Sequence, residues 1–253
     1  MLDSNTTMLV MGTGRGGTTI ITAALGAHPD IAMLDEEYTG AVFHVTGGKI
    51  RGNKLCVPHQ LEWTKHWRWW HRLYGLTGYQ RKRKWYNLHP RSELSISDYI
   101  ERAPLQPICI LREPNAVINS VQKRARRSAD IAIFRWCRYM EIVEQLIEEA
   151  HSNPNLAQPV LVSFEGLVAQ PEAVLQTLCN SLDIPFSPQM LEGPQRNVRY
   201  PRQGFEADKS RGGNKPNYLK QVPSLALQRY KRLMKLDICQ HAAVTPTLAS
   251  ELA

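Results

Sequence analysis

The feature that most constrains this chain is a glycine-rich loop near its N-terminus, set between an apolar run and a helical pattern. The run Thr7–Gly12 is apolar and β-branched and predicts a buried strand, and helical spacing follows the loop. Glycines let the backbone turn tightly and present successive N–H groups, while the helix N-terminus adds partial positive charge. The segment MLVMGTGRGGTTII, residues 8–21, therefore predicts a strand–loop–helix unit that binds an anion.

The rest of the chain alternates strand-like and helix-like segments. The predicted strands are Thr7–Gly12, Ile31–Leu34, Pro107–Leu111 and Val160–Phe164, and predicted helices start at Pro114, after Ser128, at Pro171 and at Ser224. Such alternation favours an α/β fold, a P-loop-type three-layer sandwich in which helices flank a central parallel β-sheet. We expect a single domain over residues 1–253, with a helical insertion rich in tryptophan and basic residues at about 58–105.

Composition excludes several classes of protein. No apolar run approaches the length of about 18 residues that a membrane span needs. The five cysteines include no Cys-x-x-Cys pair, which argues against a zinc site and a disulfide framework. The N-terminus lacks the basic start and apolar stretch of a signal peptide. We therefore expect a reducing, cytoplasmic location, and the net charge of +8 predicts an anionic partner.

Residues 63–91 hold much of that positive charge. The stretch contains eight lysines and arginines, no acid, and five of the six tryptophans. Trp63, Trp67 and Trp70 recur at helical spacing, so we expect a helix from about 60 to 74 with one aromatic face. The rings either pack on the main domain, or form an acceptor-binding lid or a surface for an anionic partner. A nucleic-acid-binding module is an alternative function, although no RRM, KH or zinc signature accompanies the segment.

The glycine loop departs from a nucleoside triphosphate site in two places. The Gly12-x4-Gly17 spacing matches a Walker A loop, but Thr18 stands where that motif has a lysine. The Pro107–Leu111 strand is followed by Arg112 rather than by a magnesium-holding aspartate. The loop thus suits a metal-free donor with one 5′-phosphate group better than it suits ATP. A P-loop small-molecule kinase or phosphotransferase is the alternative enzyme.

Three blocks of sequence together resemble the PAPS-dependent sulfotransferases, with spacing closest to the tyrosylprotein and carbohydrate branches. PAPS is 3′-phosphoadenosine 5′-phosphosulfate. The blocks are Gly14–Thr19 followed by His28-Pro29-Asp30, then Ile110–Pro114 with Ser120, and then Ser163–Leu167 with Pro171. The resemblance implies a sulfotransferase-like α/β domain that moves a sulfuryl group from PAPS to a hydroxyl acceptor without a metal.

The resemblance also implies which residues bind the donor. The 5′-phosphosulfate loop would comprise Gly14, Arg15, Gly16, Gly17, Thr18 and Thr19. Arg112 and Ser120 would bind the 3′-phosphate, and arginine suits this role because it grips phosphate through two N–H donors. A late loop with Ser210 and Arg211 resembles, in composition, the loop that closes the donor pocket. Alternatively, Arg112 forms a structural ion pair with a nearby acid such as Glu113 instead of binding phosphate. The alternative for the late loop is that it is exposed and does not close the donor pocket.

Catalytic roles follow from the same resemblance. Glu36 would be the general base, with Glu37 in reserve, because Glu36 follows Arg15 at the family's spacing. Lys54, on a short strand, and Arg15 would offset the charge that develops during transfer. Otherwise, residues 35–37 form a solvated acidic turn and Lys54 is a surface lysine.

The acceptor is not specified by these motifs. A peptide tyrosine, a sugar, a lipid and a small metabolite all carry a suitable hydroxyl group. The segment 58–105 lies between Lys54 and the strand before Arg112, so we expect it to emerge near the transfer site. Its rings and cations favour an anionic or amphipathic acceptor, and nucleic acid is the less favoured partner.

Overall fold

A parallel five-stranded sheet forms the centre of the part of the chain that the structure describes. The computed structural model describes residues 5–47, 49–64, 90–196, 204–205 and 216–242. The strands are β1 (Thr7–Gly12), β2 (Ile31–Asp35), β3 (Ile50–Cys56), β4 (Leu105–Leu111) and β5 (Val160–Ser163). Their order in the sheet is β2-β3-β1-β4-β5, and every neighbouring pair is parallel. The predicted strands are confirmed to within two residues at their ends.

Helices connect these strands and cover both faces of the sheet. They are α1 (Thr18–Gly26), α2 (Ile96–Arg102), α3 (Pro114–Ala125), α4 (Ala129–Glu149), α5 (Phe164–Ala169), α6 (Pro171–Ser181), α7 (Gln189–Glu192), α8 (Ser224–Met234) and α9 (Cys239–Ala242). The predicted helix starts at Pro114, after Ser128, at Pro171 and at Ser224 are all confirmed. No helix in the described ranges is both long enough and apolar enough to cross a membrane.

The sheet separates two apolar cores because side chains alternate between the two faces of each strand. On β1, Leu9 and Met11 belong to the core that includes residues of α2, α3, α4 and α8. Met8 and Val10 belong to the other core, with residues of α1, α5 and α6. These four side chains are fully buried, as expected for a central strand covered on both faces. The predicted three-layer α/β sandwich is therefore confirmed.

The expected helix from about 60 to 74 is wrong over its described part, residues 60–64, which form a turn, a bend and irregular backbone. The carbonyls that would start a helix bond to another segment instead: those of Gln60, Glu62 and Trp63 accept the N–H groups of Ser92, Ile96 and Ser97. Trp63 itself is half-buried and packs against the core. Trp67 and Trp70 lie in residues 65–89, outside the described ranges, so the aromatic face stays a prediction.

Those backbone bonds also bring the two ends of the 58–105 segment together. The Ser92 N–H lies 2.8 Å from the Gln60 carbonyl oxygen, and the Glu93 N–H lies 2.6 Å from that of Tyr38. Tyr38 follows β2 by three residues, so the chain leaves and re-enters beside the end of that strand. The expectation that the segment emerges near the transfer site stays a prediction, and its described ends lie close to the residues that follow β2.

Candidate active site

The glycine loop joins β1 to α1 in a tight turn that needs its glycines. The Gly16 N–H donates to the Thr13 carbonyl over 2.7 Å, and a side chain at Gly16 would meet that oxygen at 2.8 Å. Gly17 has a left-handed φ of 101°, and a Cβ there would lie 2.2 Å from the Phe164 ring. Helix α1 has no side-chain N-cap, so the N–H groups of its first turn lack that partner. The anion-binding role that the sequence predicts for this turn stays a prediction, and the uncapped N–H groups suit it.

The two predicted 3′-phosphate ligands lie directly beside this loop. Arg112 follows β4 and donates from Nη1 to the Arg15 carbonyl oxygen over 2.8 Å. The Arg15 Nε lies 3.5 Å from the Ser120 Oγ, on helix α3. Arg15, Arg112 and Ser120 are thus brought together, although the loop and α3 are about a hundred residues apart in the chain. The cluster is electropositive and stands at the carboxyl edge of the sheet, where ligands of open α/β sheets bind.

Arg112 is stacked on an aromatic ring and has one donor with no hydrogen-bond partner in the described part of the chain. Its guanidinium carbon lies 3.9 Å from the centre of the Phe164 ring, a cation–π stack, and its backbone carbonyl accepts the Trp136 indole N–H. The Arg112 Nε is buried and has no hydrogen-bond partner among the described residues. Burial lowers the pKa of Arg112, as do the neighbouring charges of Arg15 and Arg124, while Glu165 opposes them. An anion at this position would satisfy the orphaned N–H group.

The alternative ion pair of Arg112 with Glu113 is not formed as a direct contact. The Glu113 carboxylate accepts the backbone N–H groups of Asn115 and Ala116 and so caps helix α3. The acid nearest to the guanidinium is Glu165, whose Oε1 lies 4.0 Å from the Arg112 Nε. Burial raises the pKa of Glu165, and Arg112 counteracts that rise. Arg112 is therefore only partly neutralised by protein groups.

On the other side of β1, Lys54 is buried between two carboxylates. Its Nζ lies 2.7 Å from the Asp35 Oδ1 and 3.0 Å from the Glu36 Oε1. Lys54 is 2% exposed, so the alternative of a surface lysine is wrong. Burial alone would lower the pKa of Lys54, but the neighbouring Cys56 and the two carboxylates raise it, so the side chain stays charged. Asp35 pairs with Lys54 in the register of β2 and β3, which explains why the sheet brings these groups together.

The two adjacent glutamates have different surroundings. The Glu37 carboxylate accepts hydrogen bonds from the Thr39 hydroxyl and from the backbone N–H groups of Thr39 and Gly40. Partial burial would raise the pKa of Glu37, but these donors lower it overall. The buried Asn53 amide also brackets the Glu37 backbone, accepting from its N–H and donating to its carbonyl. Glu37 therefore stabilises the turn, whereas the Glu36 carboxylate faces Lys54.

The remaining loop residues lie between these two clusters. The Thr18 Oγ1 lies 3.8 Å from the buried Cys56 Sγ, at the end of β3. Thr19 and Gly14 are partly exposed, so both can contact a ligand from solvent. Ser210 and Arg211 lie outside the described residues, so their role in closing the donor pocket stays a prediction.

His59 is a residue that the sequence analysis did not select. A Cβ on Gly14 would lie 3.0 Å from its Cε1 atom, so its ring stands against the glycine loop. Burial lowers the pKa of His59 to about 3, and the charges of Arg135 and Arg91 add to this effect, so the ring is neutral at pH 7. Its Nδ1 is buried without a partner in the described part of the chain. Its position could have indicated a site residue, because His59 comes three residues after β3, at the edge of the sheet where the other site residues lie.

Within the described ranges, no group of three or more His, Cys, Asp and Glu side chains is arranged to hold a metal ion. The candidate groups are instead one ammonium, two guanidinium groups and carboxylates around a glycine loop. Such a set suits an anionic donor and a proton transfer.

Comparison with solved structures places this fold among the sulfotransferases. The sulfotransferase domain of the Synechococcus PCC 7002 olefin synthase has a TM-score of 0.53 and 14% identity, with 92% of this chain and 96% of that one covered. The sulfotransferase domain of the curacin biosynthetic pathway has a TM-score of 0.50 and 15% identity, covering 90% and 96% of the two chains. No protein-family model and no curated protein sequence matches the chain. The protein therefore has a sulfotransferase fold over most of its length.

Proposed function

We propose that this protein is a PAPS-dependent sulfotransferase that acts on a hydroxyl group. The observation that carries the proposal is the buried Arg112 Nε, which has no hydrogen-bond partner among the described residues and lies in the cluster of Arg15, Arg112 and Ser120. The glycine loop provides one anion-binding position. A second cationic cluster beside it supports a donor that carries a further phosphate, as PAPS does at its 3′ position.

In the proposed reaction, the acceptor oxygen bonds to the sulfur atom while the bond from sulfur to the phosphate oxygen breaks. The acceptor proton passes to Glu36, and the electron pair of the broken bond leaves with 3′,5′-ADP. Lys54 offsets the negative charge near the transferred group, and the loop N–H groups with Arg15 offset charge on the leaving phosphate. The pairing of Glu36 with the buried Lys54 supports these assignments because it keeps the carboxylate ionised and oriented.

The assignment of Glu36 rather than Glu37 as the base rests on their different partners. Three hydrogen bonds commit the Glu37 carboxylate to its own turn, and none of them involves Lys54 or the glycine loop. The Glu36 carboxylate lies against Lys54 at the carboxyl edge of the sheet. It is the better placed of the two to meet a hydroxyl group beside the loop.

Nucleotide binding tests the donor assignment. A nucleotide that binds the native protein and not the unfolded chain raises the melting temperature. We expect 3′,5′-ADP to raise it clearly more than 5′-AMP or 2′,5′-ADP does, because 3′,5′-ADP alone of the three carries a 3′-phosphate. Arg112→Gln should abolish the difference between the nucleotides. Arg229→Gln is the matched control because Arg229 pairs with Glu141 and Glu144 on α4, away from the loop. Equal shifts from the three nucleotides in the native protein would contradict the assignment.

Activity is tested by incubating the protein with ³⁵S-labelled PAPS and a panel of phenols, sugars, lipids and small alcohols. We expect label to move to at least one hydroxyl compound. Magnesium ATP with the same panel tests the kinase alternative. Phosphate transfer from ATP without sulfuryl transfer from PAPS would overturn the proposal.

A further inference from the structure

A chain of hydrogen bonds reaches the Glu36 carboxylate from the side opposite Lys54. The Tyr38 hydroxyl lies 3.2 Å from the Glu36 Oε2, and the Gln60 Nε2 lies 3.1 Å from that hydroxyl oxygen. The Gln60 Oε1 in turn accepts the backbone N–H of Cys56 over 2.6 Å. Gln60 is 3% exposed, so its amide has little access to water as an alternative partner. The chain therefore runs from the end of β3 to Glu36.

The direction of each hydrogen bond in this chain is determined by its partners. A backbone N–H can only donate, so the Gln60 oxygen faces Cys56 and the Gln60 NH₂ group faces Tyr38. Arg91 also donates to the Tyr38 hydroxyl, and a guanidinium has no acceptor to offer. Since the tyrosine oxygen accepts from both groups, its single proton is directed to Glu36.

The two Glu36 oxygens are thus held by different donors. Oε1 accepts from Lys54, and Oε2 accepts from Tyr38. The Glu36 backbone is held as well: its φ of 58° is in the left-handed region, and its N–H donates to the Lys54 carbonyl over 3.0 Å. A non-glycine residue adopts this conformation only where the surroundings enforce it. The carboxylate is therefore oriented by a separate donor on each of its oxygens.

We propose that Tyr38 is a positioning residue for the Glu36 base, and that Gln60 and Arg91 direct its hydroxyl proton onto that carboxylate. The inference rests on the proposed function, because it gives Tyr38 a part in the same transfer step. Tyr38 does not take the substrate proton. It fixes the plane of the carboxylate and favours its ionised form, since a hydrogen bond donated to a carboxylate stabilises the charge.

Other charged groups around Glu36 affect the same ionisation. Lys54 and Arg91 favour the carboxylate, and Asp35 disfavours it by repulsion. His59 and Cys56 also face this region and are neutral at pH 7, because burial lowers the pKa of His59 to about 3 and raises the pKa of Cys56. Lys54, His59 and Cys56 therefore keep their charge states near neutral pH. An acid limb that moves in Tyr38→Phe would point to the Glu36 carboxylate that the Tyr38 hydroxyl contacts.

Tyr38→Phe tests the proposal because it removes only the hydroxyl group. We expect kcat to fall about 10-fold with 3′,5′-ADP affinity unchanged, as the base loses its orientation. We also expect the acid limb of kcat/KM to move up by about one pH unit, because the carboxylate loses a donor that stabilises its charge. Gln60→Glu should also lower kcat and move the acid limb up. A carboxylate at position 60 would accept the Tyr38 proton, which otherwise goes to Glu36. A merely structural role would change stability without moving the acid limb.

Tyr139→Phe is the matched control. It also removes a tyrosine hydroxyl, in this case a fully buried one that donates to the Met11 carbonyl of β1. We expect it to lower the free energy of unfolding and to leave the acid limb where it is. If Tyr38→Phe gives the native rate and pH profile while Glu36→Gln loses turnover, the inference is wrong and the proposed function stands.

A direct measurement separates the inference from the proposed function. The midpoint of the Glu36 carboxyl titration can be followed by ¹³C NMR in protein labelled at glutamate, with Glu36→Gln assigning the signal. We expect the midpoint to be about one pH unit higher in Tyr38→Phe than in the native protein. An unchanged midpoint overturns the inference even if sulfuryl transfer is found. Absence of sulfuryl transfer with the expected shift refutes the proposed function alone.

Discussion

Neighbouring residues of one type take different roles here because their partners differ. Asp35, Glu36 and Glu37 are consecutive, yet Asp35 and Glu36 bind Lys54 while Glu37 holds the turn around Thr39. The backbone of Glu36 is in the left-handed region, so its side chain does not continue the alternation of the β2 side chains between the two faces of the sheet. An acidic run of this kind is thus divided between an ion pair and a turn.

Substitution of each glutamate separates the two roles. We expect Glu36→Gln to keep 3′,5′-ADP affinity and lose about 100- to 10,000-fold in turnover, because the amide keeps the shape and cannot accept the proton. Glu37→Gln is the matched control: it should lower the free energy of unfolding by about 1 kcal/mol, through weaker bonds to Thr39 and Gly40, with turnover retained. Steady-state kinetics and urea unfolding measure both effects. Turnover that survives in Glu36→Gln and is lost in His59→Gln would assign the base to the imidazole.

His59 also makes stability depend on pH. Its pKa is lowered from 6.5 to about 3 in the folded state, chiefly by burial, so the unfolded chain binds a proton first as the pH falls. Stability that is present above pH 6.5 is therefore lost as the pH falls toward 3, by up to about 1.4 kcal/mol per unit. We expect urea unfolding between pH 6.5 and 5 to show a steeper loss in the native protein than in His59→Gln. If the stabilities of the native protein and of His59→Gln fall in parallel, the His59 ring takes up its proton at the same pH in the folded and unfolded states, which contradicts the lowered pKa.

At the scale of secondary-structure elements, the contact between the glycine loop and the first turn of α5 is decisive. Phe164 starts α5, lies against Gly17, and carries the Arg112 guanidinium on its ring. One aromatic side chain thus sets the distance between the loop and the cationic cluster. At the end of β5, Phe164 thus contacts groups that follow both β1 and β4.

Two glycines with the same backbone conformation allow that contact to be measured. Gly17 and Gly47 have φ values of 101° and 100°, but only Gly17 faces another side chain, because nothing lies within 4 Å of a Cβ at Gly47. We expect Gly47→Ala to lower the free energy of unfolding by about 1–2 kcal/mol, the cost of the left-handed conformation. Gly17→Ala should cost about 1–3 kcal/mol more through the clash with Phe164, and weaken 3′,5′-ADP binding. Equal losses in urea unfolding would mean that Phe164 moves aside freely.

At the scale of the whole molecule, the parallel sheet gathers groups that are far apart in the sequence. The loop after β1, Glu36 after β2, Lys54 near the end of β3 and Arg112 after β4 all lie at one edge. The strands that flank β1 end near Cys56 and Arg112, where a magnesium nucleotide enzyme would place an aspartate.

This arrangement predicts independence from divalent metals. Thr18 replaces the Walker lysine, and neither strand beside β1 is followed by an acidic metal ligand. We expect EDTA to leave transfer from PAPS unchanged, because the positive charge at the site comes from Lys54, Arg15 and Arg112. Transfer rates with EDTA, and with magnesium added back, measure this. Loss of transfer in EDTA with recovery in magnesium would favour the phosphotransferase alternative.

The sequence by itself determined the class of fold, four of the five strands, and the helices that start at Pro114, after Ser128, at Pro171 and at Ser224. Glycine spacing, apolar runs and prolines at helix starts are local signals, because they act through the backbone conformation of a few residues. The strand–loop–helix unit and helix α3 after Pro114 were predictable for this reason. The helix expected from residue 60 failed because carbonyl groups in that stretch bond to residues 92–97, which no local periodicity reports.

The tertiary structure alone decided which polar groups meet. Lys54 is buried only because β2 and β3 pair in register, and Glu36 meets Tyr38 and Lys54 only at the end of that pair. Likewise Arg112 stacks on Phe164, and the ring of His59 stands against Gly14. Burial and partner choice depend on distances between segments that the chain brings together on folding. Those distances set the desolvation and charge around each group, and so decide its chemistry.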